Sequence, residues 1–298
     1  MPQTRVAVVG SANMDLVAMA PDLPRPGETM LGTDFVMVPG GKGANQAVAA
    51  ARAGADSTFL GAIGSDAFGV TLKARIGAAG VDTTHLRVVY GTSGVALVMV
   101  NAAGENAILV TPGANDALTG LTEEELDSVR RADVLVAQLE IPVETVTQAA
   151  VAARAAGTRV VLNAAPARPL PDELLAAVDV LVVNEREAQA LTGHGRERPE
   201  ALLDLTPRAV LTLGGEGAWY GDRDGTTAHV PAVKVEVVDS TAAGDAFTAA
   251  LAVGWGEGRD VVDAVRWAAA AGAACVRRLG ASVALPQRAE IDQLYAPA

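Results

Sequence analysis

The sequence predicts one α/β domain over residues 1–298: a central, mostly parallel sheet covered by helices on both faces, in three αβα layers, plus a small β-sheet lid. Three observations predict it. From Leu121 onward, helical patterns alternate regularly with short apolar runs, the rhythm of successive βα units. Those runs are almost continuously apolar, as expected of parallel strands buried on both faces. By contrast, Val95–Asn101 and Asn106–Thr111 are two apolar runs joined by Ala102-Ala103-Gly104-Glu105, a hairpin signal that interrupts the rhythm and marks an appended sheet. No repeat, low-complexity tract or long linker divides the chain.

Composition narrows the function. Half of the residues are apolar but only 3% are aromatic, so the core is built largely from small side chains. The formal charge of −12 argues against a nucleic-acid or anionic membrane surface, while leaving room for a small anion in a local pocket. A lone cysteine, Cys275, cannot form an internal disulfide, and with three scattered histidines it provides no Cys/His metal site. Met1-Pro2-Gln3 leads directly into a strand pattern, with neither a leader nor an apolar run of membrane-spanning length, so a cytoplasmic protein is expected.

The elements follow in order. Arg5–Gly10 is a buried strand ending at a glycine, and Ser11-Ala12-Asn13-Met14-Asp15 continues at its carboxyl end. Ligands of open α/β sheets bind beyond such ends, so Asn13 and Asp15 suit a polar ligand; a strand-ending turn would use the same residues. Pro21–Pro26 is a connection, and Thr29–Val38 alternates like a partly exposed strand. Lid strands are thus expected from roughly 14–38 and 92–111. Their apolar face needs cover from the main domain or from a second subunit.

Pro39-Gly40-Gly41-Lys42-Gly43-Ala44-Asn45-Gln46 then leads into a helix from about Ala44 to Gly54. Its glycines let a ligand approach the backbone. It is neither a P-loop, since Gly43 follows Lys42, nor a dinucleotide fingerprint. Ser57–Gly64 is a strand and Asp66–Ala79 a helix. Next come helices and strands in alternation: Glu123–Arg131, Val134–Gln138, Val143–Ala156, Arg159–Asn163, Asp172–Ala177, Val180–Asn184, helices between Arg186 and Leu205, and Ala209–Leu213. Gln138 with Glu140, Asn163, Asn184 and Thr212 end these strands and would line one rim.

Asn184 and Glu187, three apart at a helix start, form either a capping box or a site orienting water around Mg2+. Thr212-Leu213-Gly214-Gly215-Glu216-Gly217 is a strand-end glycine turn able to meet a nucleotide through its backbone. Finally, the β-branched run Val233–Val238 precedes Asp239-Ser240-Thr241-Ala242-Ala243-Gly244-Asp245, which opens an alanine-rich helix from Ala246 towards Trp255. Leading helix amides lack intrahelical partners and carry partial positive charge, so they attract an anion. A carboxylate among them is either a simple cap or a base beside an anion hole. Val261–Arg278 is the last long helix, closed by Gly280-Ala281-Ser282. Asp239, the Thr241 carbonyl and the segment after Arg278 offer ligands for a monovalent cation.

Taken together, Gly10-Ser11-x-Asn13-x-Asp15, Gly40-Gly41-Lys42-Gly43-Ala44-Asn45-Gln46-Ala47, Asn184-x-x-Glu187 and Asp239-x-x-Ala242-Ala243-Gly244-Asp245-x-Phe247, in that order, closely resemble the ribokinase family of carbohydrate kinases, often called PfkB. The resemblance runs the length of the chain and includes Leu162–Arg168. It implies ATP-dependent phosphorylation of the O5 hydroxyl of ribose to ribose 5-phosphate. By resemblance, Asn13, Asp15, Gly41, Lys42, Asn45 and Glu140 bind the sugar, Asp245 is the base, and Ala242, Ala243 and Gly244 form the anion hole. Asn184 and Thr212 with Gly214, Gly215, Glu216, Gly217 and Gly244 meet the nucleotide, while Glu187 acts on Mg2+ through water. Asp239, Thr241, Cys275, Arg278 and Gly280 match a monovalent-cation (K+) loop, the last three through carbonyls. The resemblance also implies a homodimer through the lid. Two positions depart from the family pattern: Ala284 stands where a loop serine is common, and Ala269 where a histidine sometimes lies near adenine. A kinase of another small sugar or nucleoside, such as deoxyribose, and a non-catalytic sugar sensor are the competing readings; a dinucleotide oxidoreductase lacks its fingerprint.

Overall fold

The structure, a computed structural model, describes residues 3–295. In chain order its strands and helices are β1 Arg5–Val9, β2 Asn13–Met19, β3 Asp34–Gly40, α1 Lys42–Arg52, β4 Asp56–Gly64, α2 Ala67–Ala78, β5 Leu86–Val89, β6 Gly94–Val100 and β7 Asn106–Thr111. They continue as α3 Glu123–Arg131, β8 Val134–Ala137, α4 Val143–Ala156, β9 Arg159–Asn163, α5 Asp172–Ala177, β10 Val180–Asn184 and α6 Glu185–Thr192. The last are β11 Arg208–Thr212, β12 Ala218–Asp222, β13 Thr227–Val230, α7 Ala243–Gly256, α8 Val261–Cys275, α9 Ala281–Ala284 and α10 Arg288–Leu294.

A nine-stranded sheet runs in the order β13-β12-β11-β10-β9-β8-β1-β4-β5. Strands β11 through β5 are mutually parallel, and β12 and β13 complete one edge antiparallel. Alternation along each strand divides the core in two. Val6, Val8, Val134, Val136, Val161, Val182 and Val210 face α1, α7 and α8, whereas Ala7, Val9, Leu135, Leu162, Val183 and Leu211 face α3, α4 and α6. These are the three layers the sequence predicts. The alanines of α1, α7 and α8 let those helices lie close together, and Trp267 on α8 is wholly buried among them.

The second sheet has the order β3-β2-β6-β7. Its β2–β6 pair is parallel and its other pairs antiparallel, so it is mixed. By register, Met37, Leu16, Leu97 and Leu109 lie across one face with Phe35 and Met99, and Asp15, Val38, Ala96 and Val110 lie on the other. Phe35, Met37, Leu97, Met99 and Leu109 are all exposed, so the lid carries the uncovered apolar face that the sequence predicts.

Several boundaries differ. Ser11–Asp15 is not a simple turn after β1: the chain starts the lid strand β2 at Asn13, and Asn13 and Asp15 pair with Gly40 and Val38 of β3. The short strand β5 carried no clear pattern. Helices α1 and α7 begin at Lys42 and Ala243, earlier than apolar spacing suggests, because their first turns are glycine, alanine and polar residues. Val233–Val238 joins no strand ladder; Val237 and Val238 are exposed. α8 ends at Cys275 rather than Arg278, and the Val276 carbonyl there accepts from the amides of Val238 (2.8 Å) and Asp239 (3.2 Å).

Leu135 lies in the middle of β8 with no exposed surface. Leu135→Ala is expected to lower unfolding free energy by about 2–5 kcal/mol, measured by urea titration.

Candidate active site

The site forms where the carboxyl ends of β1, β8, β9, β10 and β11 meet the amino ends of α1 and α7, below the inner face of the lid. Open parallel sheets place ligands at this rim. Two tight backbone features shape it. Gly41, the N-cap of α1, has φ 89°, and a Cβ there would come within 2.7 Å of the Asn13 nitrogen, so only glycine fits. Ala242, the N-cap of α7, has φ 62°, the one non-glycine residue with positive φ among the described residues. Holding alanine in the left-handed region costs about 1–2 kcal/mol, a strain concentrated at the start of the helix that carries Asp245. No side chain caps α7, and Gly244 is exposed with open space on its side-chain side. The Ala243 amide is turned back to the Ser240 carbonyl (3.2 Å), which leaves the amides of Ala242 and Gly244 available to an anion.

Asp245, in the first turn of α7, is buried. Its Oδ2 accepts from Asn45 Nδ2 at 3.0 Å and its Oδ1 from Gln46 Nε2 at 2.9 Å. Burial pushes its carboxyl above the ordinary range, against the opposing pull of Lys42, Asn45 and Gln46. Burial pulls the Lys42 ammonium down, but Asp245, Glu140, Glu187 and Asp15 together raise it, so it stays charged. Asp15 is pushed up to about 7, chiefly by burial and then by the neighbouring charges of Glu140 and Asp245. Glu140 accepts from the Ser11 hydroxyl at 2.6 Å and the Lys42 amide at 3.1 Å. Asn13 Oδ1 accepts from Asn115 Nδ2 at 2.7 Å, and Asn115 Oδ1 accepts from the Ala12 amide at 2.9 Å. The buried Asn45 Oδ1 has no protein partner. Thus Asn13, Asp15, Gly41, Lys42, Asn45, Glu140 and Asp245 gather at one place, a polar pocket of carboxylates, amides and one ammonium suited to several hydroxyls.

Glu187 lies at the edge of this charge cluster, acting on Lys42. Both halves of the predicted capping box are made: Asn184 Oδ1 accepts from the Glu187 amide at 2.9 Å, and Glu187 Oε2 from the Asn184 amide at 2.8 Å. Asn184 stands directly opposite Thr212 in the β10–β11 register. The turn after β11 has Gly214 and Gly217 at positive φ and open space beside Gly214 and Gly215. Glu216 is different: its carboxylate pairs with Arg196 at the surface, its amide donates to the Leu213 carbonyl at 3.1 Å and its carbonyl lies 3.0 Å from His229 Nε2, so a ligand would have to displace one of these contacts.

The loop predicted to hold a cation closes on itself. Asp239 Oδ1 accepts from the Thr241 amide (2.9 Å) and hydroxyl (2.6 Å), and Oδ2 from the Gly280 amide (2.9 Å). Burial pushes Asp239 up, but these hydrogen bonds outweigh it and hold it below the usual carboxylate range. Cys275 Sγ donates to the Thr241 carbonyl at 3.7 Å, with its thiol pushed by burial up to about 12. The Arg278 side chain pairs with Glu290 on α10, away from the loop. Among the described residues no group of three or more His, Cys, Asp or Glu side chains could hold a metal by itself. A cleft of about 250 Å³ between α1, α2 and α9 meets the site through Gly40 and Asn45, and Asp245 does not line it.

Ser11, Gln46 and Asn115 have site contacts that the sequence reading did not assign. Ser11 and Gln46 sit inside the quoted motifs; Asn115, after the lid, has no local signal.

A buried acid beside open helix amides, reached by a polyhydroxyl-binding pocket, defines a group-transfer enzyme of the α/β class. A model of the pfkB family of carbohydrate kinases matches residues 3–288. Ribokinase of Bacillus subtilis is 39% identical over 292 residues, covering 97% of this chain and 98% of its own. Ribokinase of Haemophilus influenzae is 37% identical, covering 96% of each chain. A solved structure of Arabidopsis thaliana ribokinase complexed with ribose and ATP superposes with a TM-score of 0.93 at 33% identity, covering 100% of both chains. The chain belongs to the pfkB family of carbohydrate kinases.

The raised Asp15 has a stability consequence. An unfolded aspartate titrates near ~4, so between that value and about 7 the folded state holds the extra proton and stability falls as pH rises. Asp15→Asn is therefore expected to raise the melting temperature of the ligand-free protein at pH 8, with the gain vanishing below about pH 4; thermal unfolding at both pH values checks it.

Proposed function

We propose that the chain is an ATP-dependent ribose kinase, transferring the γ-phosphate of ATP to the O5 hydroxyl of D-ribose to give ribose 5-phosphate. The observation that carries this reading is Asp245: a buried carboxylate at the uncapped start of α7, hydrogen-bonded to Asn45 in the polar pocket. The relatives named ribokinase, and the structural neighbour with ribose and ATP, support the choice of sugar and phosphoryl donor.

Asn13, Asp15, Gly41, Lys42, Asn45 and Glu140 hold the sugar hydroxyls. Asp245 takes the O5 proton as the O5–phosphorus bond forms and the bond from γ-phosphorus to the β–γ bridging oxygen breaks, releasing ADP. The amides of Ala242 and Gly244, with that of Ala243 once it leaves the Ser240 carbonyl, stabilise the charge on the transferred group, and Lys42 adds a fixed ammonium. Such transfer depends on positioning and charge stabilisation more than on covalent chemistry. Asn184, Thr212, Gly214, Gly215, the Glu216 backbone, Gly217 and Gly244 receive the nucleotide.

Glu187, partly spent on its capping box, with no protein-only metal cage nearby, fits a Mg2+ ion held mainly by phosphates and water. Bound there, Mg2+ would neutralise phosphate charge. K+ would occupy the loop of Asp239, Thr241, Cys275, Arg278 and Gly280, mostly through carbonyls, and activate by firming the start of α7. The exposed lid face joins two subunits in a homodimer. The setting we propose is cytoplasmic; no helix among the described residues is long and apolar enough to cross a membrane.

ADP release from ATP and Mg2+ should be rapid with D-ribose and much slower with 2-deoxyribose, fructose or adenosine, and K+ should raise it. Asp245→Asn should lower turnover by roughly 10²–10⁴-fold while leaving the protein folded. Near-normal turnover in that variant would exclude Asp245 as the base, and preference for another acceptor would move the specificity. At micromolar concentration, ultracentrifugation should give twice the 30.2 kDa chain mass, and Leu97→Lys should shift it towards the single-chain mass; a monomeric parent protein removes the lid dimer.

A further inference from the structure

Behind Asp245, on the side away from Asn45, lies a chain of buried carboxamides that ribose binding does not use. Gln46 on α1 and Gln138 at the end of β8 have no exposed surface, and Asn163 at the end of β9 is nearly buried. Gln46 Nε2 donates to Asp245 Oδ1 at 2.9 Å and to Asn163 Oδ1 at 3.1 Å. Gln46 Oε1 accepts from Gln138 Nε2 at 2.6 Å, and Asn163 Nδ2 donates to the Val182 carbonyl at 3.2 Å. The sequence places Gln138 and Asn163 on the rim of the sheet, and in the structure both are buried there.

The direction of this chain is set by charge. An ionised carboxylate only accepts, so Gln46 must present its NH2 to Asp245. Its oxygen then faces Gln138, which must present its own NH2 in turn. Gln138 Oε1 is left as the far end, buried and without a protein partner. The other unpartnered carboxamide oxygen, Asn45 Oδ1, lies at the opposite end, beside Asp245 Oδ2. The two carboxylate oxygens are therefore unequal. Oδ1 is sealed by an amide with no exposure, while Oδ2 lies beside an acceptor that still lacks a donor.

We propose that Gln138 and Gln46 are positioning residues: they fix the rotation of the Asp245 carboxylate so that Oδ2 is the oxygen that takes the proton from the acceptor hydroxyl. The inference rests on Asp245 being the base. It leaves Asn45 Oδ1 to accept from a neighbouring hydroxyl of the sugar, since the acceptor hydroxyl's one proton goes to Oδ2. The Gln46 hydrogen bond also favours the ionised base, since hydrogen bonds to a carboxylate lower its proton affinity. Lys42 on α1, Glu140 after β8, Asp15 on β2 and Cys275 on α8 are the other ionisable groups coupled to Asp245, and none is altered by changing Gln46 or Gln138.

Gln46→Met and Gln138→Met test it by single turnover with saturating D-ribose and MgATP across pH, alongside Asp245→Asn. Saturation separates the base from Asp15, whose titration acts on sugar binding. Gln46→Met is expected to slow the single-turnover rate by roughly 10- to 100-fold with KM for ribose little changed, and to move its acid limb to higher pH. Gln138→Met, which leaves every hydrogen bond to Asp245 in place but frees the Gln46 amide to rotate, should move both in the same direction by less. A fall in melting temperature with rate and acid limb unchanged in both variants would make the chain purely structural and overturn the inference. Should Gln46→Met fail to fold, Gln138→Met decides alone on the same two readouts. Normal turnover in Asp245→Asn would instead remove the base assignment itself; loss there with neither glutamine variant affected removes only the positioning role.

Discussion

The structure depends on one costly act, the burial of the Asp245 carboxylate. A lone buried carboxylate tends to take up a proton, because removing its hydration is expensive. Here the cost is partly offset from three directions, and the carboxyl still sits above its ordinary range. The α7 amides supply partial positive charge, Lys42 supplies a full one, and Asn45 and Gln46 donate to both oxygens. The contributions come from two elements: α7 itself, and α1 through its first residue Lys42 and through Asn45 and Gln46. The parallel sheet exists, functionally, to bring the amino ends of these two helices together. In a right-handed βαβ array, helix starts and strand ends share one rim, so α1 after the lid and α7 after the cation loop arrive at the same place.

The parts of this arrangement that follow local rules were legible from sequence. The strands from β8 to β11 are runs of Val, Leu and Ala buried on both faces, a pattern that allows little else. The lid hairpin announced itself through Ala102–Glu105. Asp245 and the glycine turn before α1 could be found because they follow the physics of helix starts. Boundaries failed where a segment serves two sheets at once. Asn13 and Asp15 look like a strand-ending turn, yet they begin β2, since the chain passes from the main sheet to the lid within three residues of Val9. Val233–Val238 has strand composition and no strand; at its end the Val238 amide is directed to the Val276 carbonyl rather than to a neighbouring strand.

The rest of the site was illegible because it is non-local. Gln138 lies 92 residues from Gln46, and Asp245 lies 199 from it, so no spacing rule connects them. What determines their contact is the order of strands, β8 beside β1 and β9 beside β8, which places the residues after each strand side by side. Asn115 holds Asn13 across 102 residues in the same way. Polar residues at strand ends were correctly read as belonging to the rim, but composition does not say which of them face a ligand and which brace those that do. Exposure separates them: Asn184 and Thr212 remain accessible, whereas Gln138 and Asn163 are enclosed.

That division explains the charge balance of the pocket. Asp15, Glu140, Glu187 and Asp245 act on a single ammonium, Lys42, so the empty site is over-supplied with acceptors. Repulsion among them, added to burial, is what lifts Asp15 to about 7. Hydroxyl groups relieve this without adding charge, since each donates to a carboxylate and can accept from an amide in return. A neutral polyol is thus the ligand class the pocket is short of. A site built this way discriminates strongly, because a sugar lacking one hydroxyl leaves a buried carboxylate unpartnered. A polyol that supplies every donor would relieve the crowding of acceptors, and the carboxamides behind Asp245 lower its proton affinity against the burial that raises it.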